Sequence, residues 1–289
     1  MNRQSLRQVE LQHIVVRITP VLFAALLWVL VFKTSVAAPK SATSKVPVGN
    51  QQATQQLDEA RRLGVASRDA LKAIEDYTAT FLKIERIGGA VIEQKMDLKL
   101  RRSPFSVYLR FRSPNELGRE VIYVAGANDG RLLAHQPGVL GALAGTHRLK
   151  IDEWPVTLEN RYPITEIGIE RMLERSIAAW NAIEQSRFKS GRIRVIQDAE
   201  IDGLDCQVVE VEYERKKSKG EVSLSRVYFA KESQLPIRAE QFGWPVKTGV
   251  KPPLLEIYSY RNLNPNVGLA DADFDPGSPE YGFSKGVLP

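Results

Sequence analysis

One cysteine, Cys206, and three histidines, His13, His135 and His147, serve a chain of 289 residues. A lone cysteine excludes an internal disulfide, so the fold has to stand on its buried core. With two histidines left beyond residue 38, a zinc site would have to lean on carboxylates, and no ligand-type spacing is present. No metal and no cofactor is expected. Gly-x-Ser-x-Gly, a phosphate loop and a Gly-x-Gly-x-x-Gly opening a helix are missing too. Hydrolase and nucleotide chemistry have no foothold, and no enzyme is expected.

A bilayer-spanning run is also lacking. The apolar stretch Ile18 to Phe32 has 15 residues, where a span needs ~20. Arg3, Arg7 and Arg17 precede it and the small residues Ser35-Val36-Ala37-Ala38 follow it, the pattern of a signal peptide cut after Ala37 or Ala38. Residues 1–38 are therefore expected to be either a cleaved signal or a retained N-terminal anchor that makes the membrane contact. No cysteine follows the run, so a lipobox is absent. Export to the periplasm or cell envelope is the expectation. Residues 39–57, rich in Ser, Thr and Gln, read as a flexible leader.

Charge of one sign is in short supply once that segment is set aside. It holds four basic residues and one acidic residue, so the formal balance falls from +6 to +3. No basic stripe interleaved with aromatics is present, which argues against nucleic acid. Arg215-Lys216-Lys217-Ser218-Lys219-Gly220 reads as a solvated hairpin tip.

What is present is alternation. Asp58 to Asp76 spaces Ala60, Leu63, Ala66, Ala70, Leu71 and Ile74 as the apolar stripe of a helix. Period-two segments follow at Tyr77–Ile87, Ala90–Leu100, Phe105–Arg112, Glu120–Ala125 and Arg131–His135, with turns at Gly88-Gly89 and Asn128-Asp129-Gly130. Gly138 to Trp154 lacks periodicity and reads as a long loop or flap. A second helix is expected over Thr165–Ser186, capped by Thr165, with Ile169, Met172, Leu173, Ile177, Trp180 and Ile183 as its stripe. Strands resume at Arg192–Ile201, Gln207–Arg215, Val222–Ala230, Pro236–Gly243 and Leu254–Tyr260. About ten strands need a cover for their apolar side, so the expected fold is α+β, one antiparallel sheet over residues 58–289 with two helices on one face.

The alternation sorts residues by face. Phe105, Val107, Leu109 and Phe111 fall together, as do Val121 and Tyr123, then Val209, Val211 and Tyr213, then Val227 and Phe229, then Leu255 and Ile257. With Phe81, and with Met172 and Trp180 from the second helix, these are the candidates to line a hydrophobic concavity if the sheet curls. The other face, as in Glu210, Glu212 and Glu214, is expected to be wet.

The order helix, meander, helix, meander, with stretches such as Phe81-Leu82-Lys83-Ile84-Glu85-Arg86 and Pro104-Phe105-Ser106-Val107-Tyr108-Leu109-Arg110-Phe111, resembles the LolA/LolB-like lipoprotein-carrier superfamily of the periplasm. Gly118-Arg119-Glu120-Val121-Ile122-Tyr123-Val124 and Tyr162-Pro163-Ile164-Thr165-Glu166-Ile167-Gly168 are closer to an uncharacterised bacterial domain-of-unknown-function family of secreted proteins. The resemblance implies an unclosed antiparallel half-barrel with helices as a lid, whose cavity takes a lipid or the acyl chains of an acylated protein. Sensor and regulatory proteins share that fold, so an interaction module with an envelope protein partner, its cavity filled by its own helices, is the other expectation. A monomer is expected in either case.

Three constellations remain open. Arg119 with Glu120, and Glu85 with Arg86, are either surface ion pairs or an anion-binding rim; Arg86, Arg110 and Arg119 are the cations to test if a lipid headgroup is held. Trp154, Tyr162, Trp180 and Trp244 are either plain core or ligand-facing. Asp271-Ala272-Asp273-Phe274-Asp275-Pro276-Gly277 fails as a calcium loop, because Pro276 takes the glycine position and Gly282 the place of the closing Glu. An acidic cap on a short helix, with Phe274 pinning the C-terminal tail to the sheet, is expected instead.

Overall fold

The computed structural model describes residues 50–138, 145–214, 221–247 and 249–283. The signal or anchor segment and the basic turn at 215–220 lie outside the described residues. Alternation sends Ala79, Phe81 and Lys83 of strand β1 (Asp76–Ile87) to one face, where Leu98, Met96 and Gln94 of β2 (Ala90–Arg101) lie in register with them. The hairpin closes on Gly88 and Gly89 at φ 56° and 88°, values a side chain would resist. β3 (Ser106–Phe111), β4 (Glu120–Val124), β5 (Leu132–His135) and β6 (Thr146–Leu149) then step outward to one edge.

β7 (Gly191–Ile201) begins at the opposite edge, and β8 (Leu204–Tyr213), β9 (Val222–Ala230) and β10 (Pro236–Gly243) step back inward until β11 (Leu254–Pro265) pairs with β1. The result is one antiparallel sheet of eleven strands, open between β6 and β7. It is the expected unclosed half-barrel, with one strand more. β6 lies within the stretch read as a long loop or an ordered flap, because four residues beside a glycine-rich stretch are too few to show a period.

Between those two edges the chain has to cross the sheet, and it does so over the concave face. Short 3-10 turns at Val156–Leu158 and Ile164–Glu166 lead into helix α2 (Ile169–Gln185), which buries Ile169, Met172, Leu173, Trp180 and Ile183. Thr165 does not cap this helix. It sits in the preceding 3-10 turn, and the helix starts after Gly168, at φ 125°. The Gly168 N–H donates to the Tyr260 hydroxyl at 2.8 Å and the Ile169 N–H to the Tyr77 hydroxyl at 3.1 Å, so two buried tyrosines take over two of the helix's orphan donors. A Cβ on Gly168 would come within 3.2 Å of Leu100 and of the Tyr77 hydroxyl.

The other helix, α1 (Asn50–Lys72), starts earlier than its stripe suggests, so residues 50–57 are helix and not leader. Leu57 is fully buried, and Gln56 Oε1 accepts the N–H of Val195 on the edge strand at 2.7 Å. α1 packs on β7 and on α2. Gly64 permits that approach: a Cβ there would sit 3.3 Å from both Ile177 and Trp180. Arg61 with Glu184 (2.5 Å), half-buried, and Arg68 with Glu174 (2.6 Å), exposed, flank the contact; pairs this close to water are worth roughly 0–1 kcal/mol each.

The convex face is not wet throughout. Asp76 accepts the backbone N–H groups of Val267, Gly268 and Leu269 at 2.8, 3.2 and 3.0 Å, turning the tail back over the sheet. Phe274 and Phe283 then pack on Tyr108, Ile122 and Leu133, while Tyr281 stacks on Tyr108 at 4.3 Å between centroids. Asp273 accepts the Ala270 N–H at 2.9 Å, as expected of an acidic cap, and Phe274 does pin the tail.

Removing the Tyr260 hydroxyl leaves the buried Gly168 N–H without its acceptor. Tyr260→Phe is expected to lower unfolding stability by about 1–3 kcal/mol in chemical denaturation; a variant as stable as the parent would contradict the cap.

Candidate functional site: a cavity between sheet and helix

α2 does not fill the concavity. A cavity of about 260 Å³ remains between its Met172, Ser176, Ala179 and Trp180 side and the inner face of the sheet. An engineered cavity of about 150 Å³ already holds benzene. α1 contributes no lining residue; it lies against α2 and β7, so only one helix covers the space directly.

One part of the wall is dry. Phe81, Leu109, Phe111, Val121, Leu132 and Val227 supply it from the sheet, and Trp180 is 2% exposed. Phe81 stacks on Tyr260 with centroids 4.9 Å apart and interplanar angle 18°. The other part is charged. Two residues on from Phe81 the inward positions become Lys83 and then Glu85, Gln94 of β2 stands opposite Lys83, and β11 brings in Glu256 and Tyr258. Three cations (Lys83, Arg119, Arg175) and five glutamates (Glu85, Glu159, Glu166, Glu240, Glu256) line the cavity.

Lys83, Glu85, Glu240 and Glu256 are buried, and each has a partner of opposite charge. Lys83 Nζ lies 3.5 Å from Glu85 and donates to Glu159 O at 3.0 Å and Asn160 Oδ1 at 2.5 Å. Burial outweighs the attraction of Glu85 and lowers the Lys83 pKa. Glu85 also accepts from the Tyr258 hydroxyl and from the Arg161 N–H at 3.1 Å. Burial, then the nearby Glu256 and Glu85, push the Tyr258 phenol far up, so it stays a donor. Glu256 takes the Tyr162 hydroxyl at 3.1 Å and lies 3.0 Å from Arg161, yet burial raises its pKa above the ordinary 4.5. The Arg175 guanidinium sits 3.7 Å over the Tyr162 ring.

Of the residues singled out by alternation, Phe81, Leu109, Phe111, Val121, Met172, Trp180, Tyr213 and Val227 line the cavity. Phe105, Val107, Tyr123, Val209, Val211 and Phe229 belong to the same inner core without reaching its wall. In β11 the inward residues are Glu256, Tyr258 and Tyr260, not Leu255 and Ile257; both sets are buried or nearly so, and apolarity alone did not say which faces the concavity. Among the three arginines, Arg119 lines the cavity. Arg86 and Arg110 do not: each follows an inward residue by one position and so points away. Arg86 donates to Leu254 O at 2.9 Å and Gly89 O at 3.1 Å, and Arg110 is exposed. Lys83, Glu85, Gln94, Glu256 and Tyr258 were missed, although counting by twos from Phe81, Met96 and Tyr260 reaches them.

Cys206 is buried on the opposite face with Ala230 and Ile237, and burial pushes its thiol up to about 11. Among the described residues, no group of three His, Cys, Asp or Glu side chains is placed to hold a metal ion.

The sequence profile of the DUF1571 family, described as protein of unknown function, matches residues 74–283. The chain belongs to that family. The match runs from just before β1 to the end of the tail, and so takes in the whole sheet, α2 and the cavity. No curated protein sequence matches. Solved structures to which the DUF1571 chain is similar include a LolA superfamily protein from Nitrosomonas europaea (10% identity, 75% of this chain and 97% of that one, TM-score 0.31). The lipoprotein LppX of Mycobacterium tuberculosis is another, at 15% identity over 75% and 99% of the two chains with TM-score 0.35. The MucA/MucB complex of Pseudomonas aeruginosa is a third, at 16% identity over 80% and 63% with TM-score 0.39. At these identities the likeness is one of fold.

The raised Glu256 pKa has a sign. Its contribution to stability is fully present below the unfolded value of 4.5 and is lost as pH rises through the folded value. Relative to Glu256→Gln, the parent protein is expected to lose stability as pH climbs above that value. A pH-independent difference in urea unfolding would contradict the assignment.

Proposed function

We propose that this DUF1571 protein is a non-enzymatic binding protein of the cell envelope that holds a lipid, or the acyl chains of an acylated protein, in the cavity under α2. The observation that carries the reading is the 260 Å³ space left between α2 and the apolar inner wall of the sheet. Each methylene that leaves water for such a wall gains about 0.8 kcal/mol, so part of one alkyl chain suffices for firm retention. α2 is the natural movable cover, because it is tied to the sheet through its stripe and the Gly168 cap rather than through strand pairing. Envelope placement rests on the leader sequence, whose residues 1–38 supply a signal or an anchor. Among the described residues no helix is long and apolar enough to cross a membrane.

A second reading draws on a different observation. Val91, Leu117, Trp154, Leu158, Val246 and Val250 are all exposed, Trp154 at 74%. Apart from the crossover residues Trp154 and Leu158, they lie at the sheet end where β1 turns into β2, in or beside its connections. Arg119 to Glu159 (2.7 Å) draws the crossover to that same end. Such a rim suits an interaction or sensor module that meets an envelope protein partner, with or without a ligand inside.

Trp180 sits on the cavity wall, which makes occupancy visible. A monoglyceride of a brominated fatty acid added to the delipidated chain is expected to quench its fluorescence saturably, and Trp180→Phe to remove that component. Delipidated protein that shows no saturable quenching would refute the lipid reading and leave the interaction module.

A further inference from the structure

The charged part of the wall carries one unmatched acceptor and one unmatched donor. Gln94 is 2% exposed; its amide nitrogen donates to Glu116 Oε1 at 2.8 Å, which sets the amide's orientation. Its Oε1 is thereby left buried with no hydrogen-bond partner among the described residues. Arg119 donates through Nη1 to the same Glu116 oxygen at 2.9 Å and to Glu159 at 2.7 Å, while its Nε is buried and without a partner among the described residues. Glu116 therefore holds the two groups together, and both side chains line the cavity. Buried polar atoms are normally satisfied, and a ligand group that restores two bonds at once is strongly selected.

We propose that the cavity takes an amphiphile whose polar end is uncharged and both donates and accepts a hydrogen bond: an amide or a hydroxyl on an acyl chain, not a carboxylate or a phosphate. The proposal rests on the lipid-binding reading and narrows it. Gln94 Oε1 takes the ligand's N–H or O–H, and Arg119 Nε gives to its oxygen. An anionic headgroup is disfavoured by the charge on the wall. Lys83 is committed to Glu85, Asn160 and the Glu159 carbonyl, Arg119 to two carboxylates, and Arg175 to the Tyr162 ring. A carboxylate entering there meets five glutamates against three cations, two of which, Lys83 and Arg119, are already paired with carboxylates.

The test is calorimetric titration of the delipidated full chain at pH 7 with three ligands of equal chain length, below their micellar concentrations: decanamide, 1-monodecanoylglycerol and decanoate. The amide or the monoglyceride is expected to bind about tenfold or more tightly than decanoate. The tighter of the two identifies an amide or a hydroxyl as the preferred group. Gln94→Leu is expected to bring the best ligand within about twofold of decanoate. The ranking on the parent protein stands even if that variant fails to fold. Decanoate binding as tightly as the neutral ligands overturns this proposal and leaves the lipid reading intact. Binding of none of the three overturns both.

Discussion

The pairing of β1 with β11 decides the rest of the molecule. These strands meet in the middle of the sheet, so each half of the meander ends at an outer edge, β6 on one side and β7 on the other. A chain built this way cannot go from one half to the next by a hairpin. It has to cross, and the concave face is the side on which a crossing segment also buries the inward stripe. α2 is the middle of that crossing, held at its start by the hydroxyls of Tyr260 on β11 and Tyr77 on β1. The central pair thus places the helix that covers its own inner face.

A single crossing helix covers less than a sheet of eleven strands encloses. α1 adds a second layer, but against β7 and the back of α2, where Gly64 lets it approach, and it does not descend into the concavity. The remaining space divides because β1, β2 and β11 change character along their length. Inward positions run from Tyr260, Phe81 and Met96 to Glu256, Lys83 and Gln94 in a few steps. Hydrocarbon suits one part of such a wall and a hydrogen-bonding group the other. Ion pairs hold the charged part together, with Gln94 Oε1 and Arg119 Nε left over.

Much of this was legible in the residues. Strands with clean alternation, such as Phe105–Phe111 and Val209–Tyr213, came out with the right face inward, because one side of each had to meet the core. Turns marked by Gly88-Gly89 and Asn128-Asp129-Gly130 fall where the backbone takes positive φ. The start of α1 was hidden, because Asn50 to Gln56 are polar apart from Ala53 and their helix is decided by tertiary contacts of Gln56 and Leu57. The charged end of the cavity was hidden for a related reason. A polar residue in an alternating strand is read as facing water, and only the assembled sheet shows that Lys83, Glu85 and Glu256 face inward onto one another. Burial that depends on partners from distant strands leaves no local period.

Whether the space under α2 is occupied is the point on which the account turns. Native mass spectrometry of the full chain, purified without organic extraction, tests it most directly when run beside Leu109→Trp, which fills the dry part of the wall. The account predicts a parent protein carrying the added mass of an acyl lipid and a variant stripped of it. Bare polypeptide from the parent, or an adduct that survives equally in the filled variant, would contradict it.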